Sequence, residues 1–326
     1  MIQPVIAIHG GAGAMSRAAM SPEKEQEYLD ALESILAAGQ AVLAQGGSAL
    51  DAVTEAVRLL EDCPLFNAGH GAVFTSAGTH ELDAAIMDGA TLRSGAIAGV
   101  HRVRNPVFAA RKVMENSKHV FFVGEGAEAY AKEEGLELVD PSYFSTEARR
   151  EQLLRVQRET PEAAVLDHDG QALVARGQPA PADPLDADKK FGTVGAVAVD
   201  AQGNLAAATS TGGITNKQVG RVGDAPLIGA GTYASNKTCA VSTTGTGEMF
   251  IRMVAAYDVA AQMEYCGATL EAAADRVVHE KLPTIGGKGG LVAVDAQGNV
   301  ALPFNTEGMY RGYARVGEKP VTAIYR

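Results

Sequence analysis

The chain has 326 residues, of which 46% are hydrophobic and 21% are charged, the composition of an ordinary globular protein. Its formal net charge of −11 argues against a nucleic-acid partner, because phosphate binding needs clustered lysines and arginines. The three cysteines are far apart and form no C-x-x-C pair, so neither a disulfide framework nor a zinc knuckle is supported. The N-terminus lacks a basic region, and no uncharged stretch approaches membrane-spanning length. We therefore expect a cytoplasmic protein that does not bind membranes.

The first half of the chain alternates predicted strands and helices. An apolar strand from Val5 to Ile8 runs into the glycine turn His9–Gly13. Ser21-Pro22 opens a long helix that ends at Gly46-Gly47, and Ser48 opens a second helix that ends at Pro64. The remaining predicted elements are, in order, short strands within 74–100, a helix over 105–114, a strand over 119–123, a helix from 124 and an amphipathic helix over 145–158.

A polar segment separates the two halves. Residues 159–190 are acidic and contain four prolines, so we expect a mobile stretch without regular elements. An apolar strand follows, and the string V-A-V-D-A-Q-G-N at 197–204 and again at 292–299 predicts two β-hairpins with Gly-Asn turns. Helices over 247–265 and 269–281 would cover them. Helices combined with antiparallel hairpins indicate a layered α+β sandwich.

Several common catalytic patterns are missing from the sequence. It contains no G-x-S-x-G elbow, no Walker loop and no H-E-x-x-H, and its histidines never stand four residues apart, which argues against a histidine-based metal centre. Hydroxyl residues beside glycines remain, at Thr193, at Thr209–Gly213 and at Thr243–Gly247. Threonine is common in strands and glycine in turns, so these clusters alone fit either a catalytic site or ordinary strand ends.

Eight short motifs follow one another along the chain. They are H-G-G-A-G at 9–13, C-P-L-F-N-A-G at 63–69, E-L-D-A at 81–84, G-T-V-G-A-V-A at 192–198, T-S-T-G-G at 209–213, G-R-V-G-D-A-P at 220–226, T-G-T-G-E at 244–248 and L-P-F-N-T-E-G-M at 302–309. In this order they resemble the plant-type L-asparaginases, also called isoaspartyl peptidases, among the N-terminal nucleophile hydrolases. The resemblance covers nearly the whole chain and is poorest over 159–190.

The resemblance implies a four-layer αββα sandwich of two antiparallel sheets between helical layers. It further implies a cut between Gly192 and Thr193 into an α subunit, 1–192, and a β subunit, 193–326, and an (αβ)2 dimer of the processed protomers. The freed α-amine of Thr193, with a reference pKa near ~8, would take the proton of its own hydroxyl. One residue would then be both nucleophile and general base. Gly192 suits the cut because glycine tolerates strained backbone angles.

The resemblance also assigns roles to residues around the nucleophile. Thr211 would hydrogen-bond to Thr193, and the Thr244 hydroxyl with the Gly245 N–H would form the oxyanion hole. The substrate is then expected to be a small zwitterionic aspartyl compound whose side-chain carbonyl lies at Thr193.

Three further positions would bind the ends of that substrate. Arg221 would hold its α-carboxylate in a bidentate fork, while Asp224 and the Gly247 carbonyl would bind its α-ammonium. Arg221 and Asp224 could also form an ordinary surface ion pair, but the flexible glycine between them favours the substrate role.

A structural cation is implied in the loop that carries Asn67. It would be sodium on the backbone carbonyls of Leu60, Glu61, Cys63, Phe66, Ala68 and His70, since carbonyl oxygens suit a hard cation. A glycine loop with a purely structural role is the alternative. No cofactor is expected for catalysis, and His9 is interpreted as packing support.

Three other functions are compatible with parts of the pattern. A glycosylasparaginase-like amidase would share the fold, but that family typically carries H-D-T at the cut, where this chain has Phe191-Gly192-Thr193. An unprocessed, non-catalytic binding protein of the same fold is the second, and a phosphate-binding module built on glycine loops is the third. Between the two candidate substrates, we expect isoaspartyl dipeptides to be hydrolysed more efficiently than L-asparagine.

Overall fold

The structure, a computed structural model, describes residues 2–13, 15, 20–159, 164–166, 172–174 and 192–326. The expectation of a mobile segment over 159–190 falls mostly outside these residues. Within that segment the structure does place two short strands, β5 (Ala164–Leu166) and β6 (Ala172–Val174), which pair antiparallel. The prolines therefore do not exclude every regular element, because both strands lie between them.

The larger sheet has eight strands. They are β1 (Val5–Gly13), β2 (Leu82–Asp88), β3 (Ser94–Val100), β4 (Phe121–Val123), β7 (Val194–Val199), β8 (Leu205–Thr211), β13 (Gly308–Arg315) and β14 (Val321–Tyr325). Their order across the sheet is β14-β13-β1-β7-β8-β2-β3-β4. Every neighbouring pair is antiparallel except β3 and β4, which run parallel, so the expectation of two wholly antiparallel sheets is wrong at this edge. The helical connection that carries the chain from β3 over to β4 permits the parallel pairing.

The smaller sheet has four strands. They are β9 (Thr232–Ala234), β10 (Cys239–Gly245), β11 (Gly289–Asp295) and β12 (Val300–Ala301), in the order β12-β11-β10-β9. Both predicted hairpins are confirmed, β7 with β8 and β11 with β12. The aspartate at the start of each turn, Asp200 or Asp295, accepts hydrogen bonds from two backbone N–H groups of that turn at 2.9–3.0 Å.

Eight α-helices complete the described part of the fold. They are α1 (Pro22–Ala44), α2 (Ala49–Asp62), α3 (Pro106–Asn116), α4 (Gly124–Glu133), α5 (Glu147–Glu159), α6 (Gly247–Met253), α7 (Ala255–Cys266) and α8 (Leu270–Asp275). The serine caps of α1 and α2 are confirmed, because the hydroxyls of Ser21 and Ser48 accept from Lys24 N and Asp51 N at 3.2 and 3.1 Å. No helix of the described chain is long and apolar enough to cross a membrane.

Two predicted helices are interrupted. Val254 adopts a left-handed φ of 48° and divides the expected 247–265 helix into α6 and α7. The expected 269–281 helix is α-helical only as α8 and continues as a π-helix over Arg276–Lys281.

Three apolar cores separate four layers. The first lies between α1–α4 and the larger sheet, the second between α6–α8 and the smaller sheet, and the third between the two sheets. Side chains alternate between cores along a strand, as a period of two requires: in β1, Ile6 and Ile8 face the helices while Val5 and Ala7 face the other sheet. The sandwich expected from the resemblance is therefore confirmed.

The strand directions bring four chain segments to one end of the sandwich. Antiparallel pairing places the start of β7 beside the ends of β1 and β8, with Gly195 opposite His9 and Val194 opposite Ser210. The end of β10 reaches the same place from the facing sheet, where Ala12 N donates to the Thr244 hydroxyl at 3.3 Å. The hydroxyl clusters singled out in the sequence therefore lie at this end.

Candidate active site

Thr193 directly precedes β7 and lies against the end of β8. Its hydroxyl donates to the hydroxyl of Thr211 over 3.2 Å, and only 2% of each residue is exposed. Thr211 Oγ1 also accepts from Gly213 N at 2.9 Å, which fixes the hydroxyl in place. The structure therefore brings the predicted nucleophile together with the threonine predicted to hold it.

The predicted cleavage junction is packed tightly against the first glycine turn. Gly11 has a left-handed φ of 112°, and a Cβ on it would lie 2.6, 2.8 and 3.0 Å from N, Cα and C of Gly192. Real Cβ atoms do not approach backbone so closely, so only glycine allows this contact. The H-G-G-A-G turn thereby supports the backbone on which the cut is predicted.

The predicted oxyanion donors lie at the end of β10. Thr244 Oγ1 accepts from Ala12 N, so its own proton remains available to a further acceptor. Gly245 has a φ of 151°, and a Cβ there would lie 2.2 Å from the carbonyl oxygen of Lys288. Both residues are buried, as a donor pair for a developing negative charge should be.

The predicted substrate-binding residues converge around the first residue of α6. A Cβ added to Gly247 would lie 2.8 Å from Asp224 Oδ1 and 2.9 Å from Arg221 Nη2. Because Gly247 has no side chain, an anionic and a cationic group lie close together beside it. A ligand that carries both an ammonium and a carboxylate can pair with these two groups.

Arg221 is already paired within the protein. Its Nε and Nη2 donate to the two carboxylate oxygens of Glu248, each at 2.9 Å. The arginine side chain is 16% exposed and that of Glu248 is 43% exposed. The fork that would hold a substrate carboxylate thus holds a protein carboxylate here. Sequence reasoning gave Glu248 no role, although it ends the T-G-T-G-E motif.

Asp224 is fully enclosed. Its Oδ2 accepts from the Thr243 hydroxyl at 2.6 Å. Burial raises the pKa of this carboxyl to about 6, while the Thr243 hydrogen bond and the charge of Arg221 oppose the rise. Above that pH Asp224 carries the negative charge that an ammonium group requires.

Asn67 connects its own loop to the turn that follows Thr211. Its Nδ2 donates to Gly213 O at 2.7 Å, and its Oδ1 accepts from Val73 N at 2.9 Å. Its backbone carbonyl also accepts from Gly212 N at 3.1 Å. The predicted structural loop therefore supports the segment that carries Thr211.

The predicted cation site lies at the C-terminal end of α2. Leu60 and Glu61 belong to its last turn, whose carbonyls lack intrahelical partners and carry the negative end of the helix dipole. The loop through Cys63, Phe66, Ala68 and His70 folds back over this end, with His70 N donating to Glu61 O at 2.7 Å. Burial raises the pKa of the Glu61 carboxyl to about 8. The donor chemistry fits a hard cation held by carbonyls, and the described residues contain no cluster of three or more His, Cys, Asp or Glu suited to a metal.

A chain of buried hydroxyls joins the two sheets behind the nucleophile. His9 Nε2 is 2.8 Å from Ser242 Oγ, which is 2.7 Å from Thr209 Oγ1, and Thr232 Oγ1 donates to Thr209 at 2.7 Å. His9 is fully buried, so it supports the packing as expected, with a hydrogen bond in addition. The alternating pattern of strand residues in the sequence does not reveal such a link, because the four linked side chains come from four separate segments.

Comparisons with known proteins agree with this arrangement. A sequence profile of the family described as Asparaginase matches residues 2–324. The chain is 61% identical over 326 residues to the isoaspartyl peptidase of Escherichia coli, covering 100% of this chain and 97% of that protein. Identity to the isoaspartyl peptidase of Salmonella typhimurium is 62% over 326 residues, with 100% of both chains covered. It is 42% over 315 residues, 95% of each chain, to an Arabidopsis thaliana protein named probable isoaspartyl peptidase/L-asparaginase 2. The chain belongs to the Asparaginase family of amidohydrolases.

Proposed function

We propose that the chain is a self-processing amidohydrolase that cleaves isoaspartyl dipeptides and L-asparagine with Thr193 as nucleophile. The observation that carries the proposal is the hydroxyl pair Thr193–Thr211, placed directly after Gly192 and at the same end of the sandwich as Arg221 and Asp224. The names of the relatives, isoaspartyl peptidase and L-asparaginase, agree with this substrate class.

The first reaction is the self-cleavage. Thr193 Oγ attacks the carbonyl carbon of Gly192, the C–N bond breaks, and the proton of the hydroxyl passes to the departing nitrogen. The result is an ester between Gly192 and Thr193 Oγ together with a free Thr193 amine. Water then hydrolyses the ester, which leaves a carboxylate on Gly192 and separates residues 1–192 from 193–326.

The second reaction uses the amine that the first one frees. The amine takes the proton of the Thr193 hydroxyl as Oγ attacks the side-chain amide of the substrate. The Thr244 hydroxyl and the Gly245 N–H stabilise the negative oxygen that forms, a contribution worth about 3 kcal/mol per donor. The amine or ammonia leaves with a proton, and water hydrolyses the aspartyl ester to release L-aspartate.

Substrate recognition requires an exchange of carboxylates at Arg221. The α-carboxylate of the substrate replaces Glu248 in the arginine fork, while ionised Asp224 and the Gly247 carbonyl bind the α-ammonium. The α-carbon of the substrate then lies between the two charged groups that it joins. A leaving group bound through the side-chain carbonyl extends away from this end, so a bulky one is tolerated.

A sodium ion on the carbonyls around the C-terminal end of α2 would act only on structure. It would neutralise the dipole at that end and stiffen the loop that carries Asn67. The loop would then hold the Gly212–Gly213 turn, and so Thr211, in a fixed position. Catalysis itself needs no cofactor.

The processed protein is proposed to assemble as an (αβ)2 dimer in the cytoplasm. The net charge of −11 argues against a nucleic-acid partner. Within the substrate class, we expect a higher kcat/KM for β-Asp-Leu than for L-asparagine. A large excess in favour of L-asparagine would refute that ranking.

Intact-mass spectrometry tests the proposal directly. Wild type should give two fragments that separate between Gly192 and Thr193, Thr193→Ala should remain one chain, and Thr193→Ser, which keeps a hydroxyl, should still be cut. A single chain in the wild type, even after prolonged incubation, would favour a non-catalytic binding protein instead. Fragments in the Thr193→Ala variant would mean that another group performs the cleavage.

A further inference from the structure

A buried charged cluster lies beneath the segment that joins Thr211 to Arg221. Its members are Lys217, which is 0% exposed, with Glu81 and Asp83, which are 4% and 0% exposed. Lys217 Nζ donates to the backbone carbonyl of Glu81 at 2.9 Å and is 3.7 Å from Glu81 Oε2. Burying three ionisable groups opposes folding unless their charges compensate one another.

On one side the cluster supports the nucleophile end of β8. A Cβ on Gly213 would lie 2.7 Å from Lys217 Cδ and 2.8 Å from Lys217 Nζ, so the lysine stem packs directly against this turn. Gly213 N is the group that donates to the Thr211 hydroxyl. Asp83 also stands opposite Thr211 in the pairing of β2 with β8. Movement of the lysine would therefore move the donor that orients Thr211.

On the other side the cluster supports the residue before Arg221. Both carboxylate oxygens of Glu81 accept from Gly220 N at 3.0 Å. Gly220 has a left-handed φ of 84°, and the next residue is Arg221. The carboxylate thus fixes the backbone from which the substrate-binding arginine extends.

We propose that Lys217 and Glu81 are positioning residues that set Thr211 and Arg221 together, and so align the nucleophile with the substrate carboxylate. The inference rests on the roles proposed above for those two residues. Neither Lys217 nor Glu81 has a hydrogen bond or an ion pair with Thr193 among the described residues, so they act through their neighbours.

The charges of the cluster depend on one another. Asp83 Oδ1 accepts from Gly99 N at 2.8 Å, whereas Oδ2 is buried without a hydrogen-bond partner in the described structure. Burial raises the pKa of Asp83, and the charge of Lys217 opposes that rise. Removing the lysine charge would leave two enclosed carboxylates without their cation, which loosens the turn that the lysine supports.

The test compares Lys217→Met, Glu81→Met and Glu81→Gln with the exposed control Lys237→Met. Processed Glu81→Met should raise the inhibition constant of L-aspartate at least tenfold. That of β-alanine, which lacks the α-carboxylate, should change less than twofold. Glu81→Gln keeps an acceptor for Gly220 N–H and should recover most of the loss. Lys217→Met should lower kcat at least tenfold or remain uncut, whereas Lys237→Met should behave as wild type.

The outcomes separate this inference from the proposed function. Equal weakening of L-aspartate and β-alanine by Glu81→Met, or no weakening, would overturn it, as would unchanged cleavage and kcat in Lys217→Met. If Lys217→Met does not fold, the two Glu81 variants still decide the question. Arg221→Lys is the reference: if it leaves L-aspartate inhibition unchanged, the proposed site itself is wrong.

Discussion

Placing a methyl group on Gly247 should block substrate binding and leave self-cleavage intact. The added carbon would lie 2.8 Å from Asp224 Oδ1 and 2.9 Å from Arg221 Nη2, against the 3.5–4.0 Å of an ordinary van der Waals contact. Both partners are held, Asp224 by Thr243 and Arg221 by Glu248, so the overlap cannot be relieved by one free rotation.

The size of the effect follows from this overlap. Relief requires the two recognition groups to move by roughly 0.6–1.2 Å, and a displacement of about 1 Å from a reactive geometry can cost about a hundredfold in rate. We therefore expect Gly247→Ala to lower kcat/KM for β-Asp-Leu by about two orders of magnitude. Cleavage at Gly192 should proceed, because it does not use the ammonium and carboxylate sites.

Gly126→Ala is the matched control. Gly126 lies exposed in α4 with nothing within 4 Å of an added Cβ, so the same substitution should stabilise the helix by about 0.5–1 kcal/mol and leave activity unchanged. Steady-state kinetics, intact mass and thermal unfolding are measured on both variants. A folded Gly247→Ala protein with kcat/KM within twofold of wild type would refute the proposed substrate position. An uncut one would show that the position acts in processing.

Three further predictions concern the same site. Because burial raises the pKa of Asp224 to about 6, acidification from pH 7 to pH 5 should protonate it and weaken inhibition by L-aspartate about tenfold. Succinate lacks the ammonium, and its inhibition constant, expressed per dianion because its own second carboxyl titrates over the same range, should not rise. An equal loss for both inhibitors would contradict this. Glu248→Gln should tighten L-aspartate binding up to about fivefold, because an ion pair that is partly exposed and worth about 1 kcal/mol no longer competes for Arg221. Weaker binding would mean that Glu248 contacts the substrate. Thr211→Val should slow self-cleavage and lower kcat by roughly 10–100-fold, whereas Thr211→Ser should recover the cleavage rate and kcat. Time-resolved mass spectrometry measures the first rate and steady-state kinetics the second. Equal losses in the two variants would rule out the hydroxyl as the cause.

The sequence predicts the elements well where their signals are local. Ser21 and Ser48 start helices because a hydroxyl can accept a nearby N–H, and both hairpins follow from Gly-Asn turns between apolar runs. The break at Val254 has no such signal, since neither glycine nor proline marks it. It arises from distant contacts: Ala256 N and Tyr257 N donate to the carbonyls of residues 230 and 229, which fixes the start of α7 against the segment before β9.

The same distinction applies to the site. The motifs place threonines and glycines at strand ends, and the antiparallel pairing then brings them together. The link from Lys217 to Glu81 spans 136 residues of sequence, and that from Arg221 to Glu248 joins two separate motifs. From the sequence alone, the residues of either charged pair look like ordinary surface residues. Which of them are buried, and which partner each one has, is known only from the folded chain.

The uncut chain holds the Thr193 hydroxyl against Thr211 before any free amine exists, so the nucleophile is in place before the cut. In the proposed scheme the cut supplies a base and opens space for the substrate. The nitrogen of Thr193 in the precursor belongs to a peptide bond, whose delocalised lone pair makes it a very weak base. The first reaction must therefore move its proton without the amine that assists every later turnover. Self-cleavage is accordingly expected to be slower than hydrolysis of substrate, although both use the same hydroxyl in the same place.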